Sequence, residues 1–192
     1  MLHKFDLTIL MVEDNIGDQY LLTEILNDLG VAKVCAASSY ASAVELISKE
    51  NIDIILLDLS LPDSTGIETF HKINKIAGNT AIVILSGLAD MQLALEAINQ
   101  GAQDYLIKAD YDDKLLAKTI VYSIERKNNL QALQESNERY RHLFNNNPAS
   151  ILVVDLKDLQ ILELNDTALK QYGYSREEFL ELTALNLSLI HI

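Results

Sequence analysis

The chain has 192 residues, 49% of them apolar, and a formal net charge of −13. That length accommodates one or two domains with a substantial core, while the acidic balance lacks the basic stripe of a nucleic-acid-binding face. Cys35 is the single cysteine, so an intrachain disulfide and a cysteine-rich metal site are both excluded. The N-terminus carries no basic region followed by a long apolar one, and no apolar stretch approaches the roughly 18 residues of a spanning helix. The expectation is a cytoplasmic protein without a membrane segment.

Five β-rich runs follow in chain order: LTILMV (7–12), AKVCAA (32–37), IDIILL (52–57), AIVILS (81–86) and DYLI (104–107). Between them stand GDQYLLTEILNDLG, SYASAVELISKE, GIETFHKINKIAG and DMQLALEAINQG, with apolar residues spaced three and four apart. Gly30, Gly78 and Gly101 fall where these helices should stop, and Ser39 or Ser42, and Asp90, where two should start. Strands alternating with helices predict an α/β fold, a doubly wound parallel sheet, and runs without polar alternation suit strands covered on both faces.

A fifth helix should begin near Asp112 and meets no breaker before Asn145-Asn146-Asn147-Pro148. That is too long for a helix that only covers a sheet. Leu115, Leu116, Thr119, Ile120 and Ser123 should pack its first half on the domain. Leu130, Leu133, Asn137, Tyr140 and Phe144 recur at heptad spacing in its second half. They mark helix 112–144 as a candidate coiled-coil seam for a homodimer, against the alternative of a solvated connector. After Pro148, SILVVDLKDLQILELN reads as two strands turning around Lys157-Asp158, then DTALKQYG and SREEFLEL as short helices. This texture looks like the beginning of an α+β domain. The boundaries read as 1–127, a helical linker over 128–147, and a partial domain over 148–192.

Chemistry concentrates at the strand ends. The first strand ends in Glu13-Asp14, the third in Asp58, the fourth in Ser86-Gly87 and the fifth in Lys108. In an open parallel sheet, ligands bind outside the carboxyl ends of the strands at the switch point in strand order. Three carboxylates held close repel one another, and a hard divalent cation such as Mg2+ resolves the conflict. Asp58 then keeps an oxygen free to attack a phosphoryl group, Lys108 neutralises the transferred oxygens and the Ser86 hydroxyl bonds one of them. Each residue taken alone has a bland reading, as a turn, a cap or a solvated lysine. It is the joint order that points to a site.

These residues resemble the receiver domain of two-component response regulators over roughly residues 5–127. ILMVEDN carries the acidic pair, DIILLDLSLPDSTG the phospho-acceptor, VILSG the switch hydroxyl and GAQDYLIKA the lysine. The resemblance implies a flavodoxin-like sheet of order 2-1-3-4-5. It implies Mg2+ on Glu13, Asp14, Asp58 and the Ser60 backbone carbonyl, and phosphate arriving on Asp58 from a histidine kinase or histidine phosphotransfer protein. Ser86 and Tyr105 would be the switch pair. One departure is Ala109, where the family usually has a proline after the lysine, often in a cis bond; the loop is therefore expected to take a trans path. Residues 139 to about 188 resemble the start of a PAS sensory domain, through RYRHLFNNNPASILVVD and the Asn165, Ala168, Gly173, Tyr174, Ser175 pattern.

The leading expectation is a phospho-accepting module whose state is passed along the long helix to a PAS domain, with no enzymatic activity beyond its own phosphotransfer and dephosphorylation. Alternatives are a phosphorylation-independent docking or dimerisation module and a flavodoxin-like flavin binder. The latter would need a phosphate-cradling loop where Glu13-Asp14-Asn15 stands. A dehalogenase-type hydrolase would need Asp-x-Asp after the first strand, whereas Asp58-Leu59-Ser60 follows the third. His142 lacks the neighbouring acid of a phospho-accepting histidine, and no nucleotide-binding segment accompanies it.

Overall fold

The computed structural model describes residues 6–87, 90–108 and 110–190, which divide after Gln131 into two compact units. The first holds strands β1 (Thr8–Val12), β2 (Lys33–Ala37), β3 (Ile54–Asp58), β4 (Ser60–Leu61), β5 (Ser64–Thr65), β6 (Ala81–Ser86) and β7 (Asp104–Ile107). It also holds helices α1 (Ile16–Asp28), α2 (Tyr40–Lys49), α3 (Ile67–Ala77) and α4 (Met91–Asn99), and the first part of α5 (Asp113–Asn145). The long strands form one parallel sheet of order β2-β1-β3-β6-β7, which is the expected 2-1-3-4-5 once the short β4–β5 hairpin is set aside. That hairpin was not foreseen; a two-residue pairing leaves no periodicity to read.

The apolar runs form strands because both faces are covered. Leu10, Val12, Ile55, Leu57, Ile82 and Ile84 face Ala43, Phe70, Ile73, Ala94 and Ala97 of α2, α3 and α4. Ile9, Met11, Ile54, Leu56, Val83 and Leu85 face Leu22, Leu26, Leu116 and Ile120 of α1 and α5. β3 and β6 are buried throughout, whereas β2, at the edge, exposes Lys33. An exposed lysine on an edge strand discourages pairing with another chain.

Helix ends follow the expected signals in part. Ser39 caps α2 in a reciprocal capping box with Ser42, so both candidates act together. Asp90 stands at the start of α4 without a side-chain capping bond. Gly78 follows α3 at φ 58°, a conformation open to glycine at little cost. On α5, Leu116, Thr119, Ile120 and Ser123 are buried as expected, but Leu115 is 44% exposed. One residue off the 3.6-residue stripe turns a side chain about 100° away from the core.

The second unit holds the end of α5, an antiparallel pair β8 (Leu152–Val154) and β9 (Ile161–Leu164), and helices α6 (Asp166–Tyr172), α7 (Arg176–Leu180) and α8 (Ala184–Ile190). The hairpin and the first two helices match expectation; α8 was not foreseen. Its core is small: Ile161, Leu164, Ala168, Phe179 and Leu187, with Tyr172 and Tyr174 edge-on to Phe179. The proposed seam divides. Leu130 and Leu133 are exposed, while Phe144 is buried and stacked on Tyr140, whose hydroxyl bonds Glu163 of β9. Asn165 is wholly buried and accepts from Ile151 N and Ala168 N while donating to the carbonyls of Phe144 and Ala149.

Candidate phosphoryl-acceptor site

The sheet gathers the acids. β1 and β3 are neighbours in register Val12 to Leu57, so Glu13, Asp14 and Asp58 leave the same edge of the sheet. One oxygen from each of the three lies within 4.8 Å of the others. Their surroundings differ. Glu13 is 1% and Asp58 8% exposed, whereas Asp14 is open to solvent. Glu13 is fixed by its backbone, whose amide donates to Ala37 O at 2.9 Å, and its carbonyl accepts from Gln19 Nε2. Asp58 Oδ1 accepts from the Ser60 amide at 2.9 Å, an Asx turn that aims its other oxygen away from the loop.

Lys108 is the counter-charge. β7 pairs with β6, the Lys108 amide donates to Ser86 O at 2.8 Å, and Nζ reaches back across the strand ends. Nζ donates to Asp58 Oδ2 at 2.6 Å and stands 2.6 Å from Glu13 Oε2 and 3.3 Å from Asp18 Oδ2. The Glu13 contact is an ion pair outside hydrogen-bonding geometry, leaving that buried oxygen without a hydrogen-bond donor. Burial pushes the Glu13 carboxyl above its usual range, and the Lys108 ammonium only partly offsets this. Burial would lower the Lys108 ammonium, but Asp58 and Glu13 outweigh it and hold it well above the usual lysine range. Three carboxylates on one ammonium, with Asp14 in the same acid cluster, leave excess negative charge. An all-oxygen donor set with an under-satisfied buried oxygen fits a hard cation such as Mg2+.

Ser86 is buried at the end of β6, and its hydroxyl donates to Gly87 O at 3.0 Å. Tyr105 lies half-buried on β7 against the α2–α4 side of the core. Ala109, where a trans path was expected, lies outside the described residues. Three residues went unnoticed in the sequence. Asp18 joins Lys108 from the first turn of α1. Tyr111 lies beside it, its hydroxyl pushed up by burial and then by the Asp18 and Glu13 charges. Asp63, in the β4–β5 turn, accepts from the Tyr40 and Ala41 amides at 2.7 and 2.9 Å, tying the loop after Asp58 to the start of α2. An acid at the third position of a capped helix was the available signal for Asp18; Asp63 had none.

The family model described as response regulator receiver domain matches residues 9–120, more than half of the chain. The chain belongs to that family. A PAS domain model matches residues 138–190. It is 33% identical over 105 residues to the luminescence regulatory protein LuxO of Vibrio campbellii, covering 55% of this chain and 23% of that protein. It is 28% identical over 108 residues to the chemotaxis protein CheY of Bacillus subtilis, covering 56% of this chain and 90% of CheY. The chain therefore spans the whole of one relative nearly and under a quarter of the other.

Among solved structures, it resembles the receiver domain of a sensor histidine kinase from Pseudomonas aeruginosa at a TM-score of 0.55 and 27% identity. That match covers 62% of this chain and 98% of the other, which holds a magnesium ion coordinated in its active-site cleft. No helix among the described residues is long and apolar enough to cross a membrane.

Proposed function

We propose that Asp58 accepts a phosphoryl group with Mg2+ bound at Glu13, Asp14, Asp58 and the Ser60 carbonyl, as a cytoplasmic phosphorelay component. The observation that carries this reading is the three-carboxylate cluster capped by one lysine at the ends of β1, β3 and β7. The donor is a phosphohistidine on a histidine kinase or phosphotransfer protein. An Asp58 oxygen attacks phosphorus, the phosphorus–nitrogen bond breaks, and the imidazole leaves with the electron pair. Bound Mg2+ supplies charge neutralisation for the incoming oxygens. Asp58 is presented by a strand buried at every position, so its carboxylate is held in place before the donor arrives. Lys108 exchanges its carboxylate partner for a phosphoryl oxygen without leaving the site. The Ser86 hydroxyl, now on a neighbouring carbonyl, turns to another phosphoryl oxygen, and Tyr105 repacks with it.

We read residues 1–127 as the receiver, 128–147 as a helical linker and 148–192 as the first part of the PAS domain. The receiver signals by changing how helix 112–144 associates or angles, and the chain itself has no catalytic output beyond turnover of its own phosphate. Support comes from β7 leading into α5, a single helix that continues to Asn145. The test is intact mass after incubation with Mg2+ and acetyl phosphate, beside Asp58→Asn. One phosphoryl adduct, absent in the variant and blocked by a chelator, is the expected result. No adduct under conditions that modify another receiver would sink the reading.

A further inference from the structure

Lys108 has three carboxylate partners, and only two belong to the three-acid cluster. The third, Asp18, comes from another element. Asn15 caps α1 by accepting from the Gly17 and Asp18 amides at 2.8 and 3.2 Å, which fixes Asp18 in the first turn. A Cβ on Gly17 would meet Asn15 Oδ1 at 3.2 Å, so glycine there keeps the cap seated. From this turn the Asp18 carboxylate reaches Lys108 Nζ at 3.3 Å across a small cavity walled by Leu21, Leu22, Leu85 and Tyr111. The Asp18 side chain is 44% exposed, against 1% for that of Glu13.

We propose that Asp18 is a positioning residue for Lys108: a third carboxylate that shares its ammonium with Asp58 and Glu13 and keeps it at the site when their oxygens turn to a cation. Without a cation, Glu13, Asp58 and Asp18 share the lysine. Once Glu13 and Asp58 oxygens serve a cation, Asp18 is the partner that remains, and Lys108 stands within reach of the site with its charge available. Removing Asp18 leaves Asp58 and Glu13 as the ammonium's only carboxylate partners among the described residues, so that it competes more strongly for the cation-binding oxygens. The inference rests on phosphoryl transfer to Asp58 as proposed above.

The test is a double-substitution cycle on the full chain: wild type, Asp18→Asn, Lys108→Ala and the pair. Two quantities are read, the rate of phosphorylation by acetyl phosphate in saturating Mg2+ and the Mg2+ affinity by calorimetry. With Lys108 present, Asp18→Asn should slow phosphorylation and weaken Mg2+ binding by about threefold, the size of a half-exposed ion pair. With Lys108 replaced, the same change should leave the rate unaltered or raise it, since only relief of repulsion toward the anionic donor remains. Its effect on Mg2+ should shrink to that of one lost charge. A merely structural role at the start of α1 would slow both backgrounds alike, as would a direct role on the cation; either result, or no effect in the wild-type background, overturns the proposal. If Lys108→Ala reacts too slowly to follow, the calorimetric cycle decides. A wild type that takes up no phosphate overturns the proposed function first, and this inference with it.

Discussion

Replacing Asn165 should release the hairpin of the second unit from the helix that precedes it. Asn165 is fully buried, and four well-formed bonds converge on its amide. Oδ1 accepts from Ile151 N and Ala168 N at 3.0 Å each, and Nδ2 donates to Phe144 O at 3.0 Å and Ala149 O at 2.8 Å. At about 1 kcal/mol net for each bond, Asn165→Ala should cost about 4 kcal/mol, before any relief from entering water. The unit's own core is five buried apolar residues, and at about 0.1 kcal/mol per residue over residues 132–192 its stability is about 6 kcal/mol. The substitution should therefore remove most of that stability and make local opening far more frequent. Asn165→Asp keeps the acceptors but turns a carboxylate toward carbonyl oxygens, and at neutral pH it should cost at least as much as alanine.

The assay is hydrogen exchange on the full chain, read by peptide. Protection at Ile161–Leu164 and at Ala168 should fall by at least about a hundredfold, equivalent to roughly 2.7 kcal/mol of local opening. Protection in β1, β3 and β6 should not change, because those strands belong to the other unit. If the hairpin keeps its protection within about threefold, the amide is not what binds helix end, hairpin and α6 together. Loss in the receiver strands as well would show that the two units do not open separately.

Lys108→Met should destabilise the receiver by about 2 kcal/mol in a chelator, because Glu13 and Asp58 lose their shared counter-charge. Mg2+ should restore much of this by binding only the folded site, read by thermal unfolding with and without the ion; equal deficits in both would refute it. Leu56→Ala, at a side chain with no exposure, should cost about 2–5 kcal/mol in denaturant unfolding with the receiver's m-value unchanged. Asp63 is held below the usual carboxylate range by the Ala41 amide first and the Tyr40 amide second. A depressed folded pKa stabilises above the unfolded value near about 3.9 and is lost as pH falls through the folded one. The stability advantage of wild type over Asp63→Asn should accordingly be present at neutral pH and vanish in acid, followed by thermal midpoints across that range.

Much of the receiver was legible because its signals are local. The runs around Ile9, Ile55 and Ile82 carry their own strand propensity, and their lack of polar alternation announces a sheet covered on both faces. Gly78 and the Ser39–Ser42 pair punctuate the helices through backbone preferences that act within a few residues. Glu13, Asp14, Asp58, Ser86 and Lys108 could be named because each closes an apolar run, and a parallel sheet brings the ends of its strands together. Leu115 misled because a short apolar pair at adjacent positions cannot tell which member faces the core.

What the chain alone determined was therefore the order of elements and the residues at their ends. Tertiary structure decided how those residues share charge. Only the strand register and the crossings of the helices bury Glu13 while leaving Asp14 in solvent, and bring Asp18 of α1 to a lysine that follows β7. The same holds for Asp63 on α2's first amides and for Asn165 between a helix end and a hairpin. Periodicity and propensity are properties of neighbours in sequence. An ion pair or a buried amide depends instead on distances of a few ångströms between segments far apart in the chain, which exist only once the sheet has assembled.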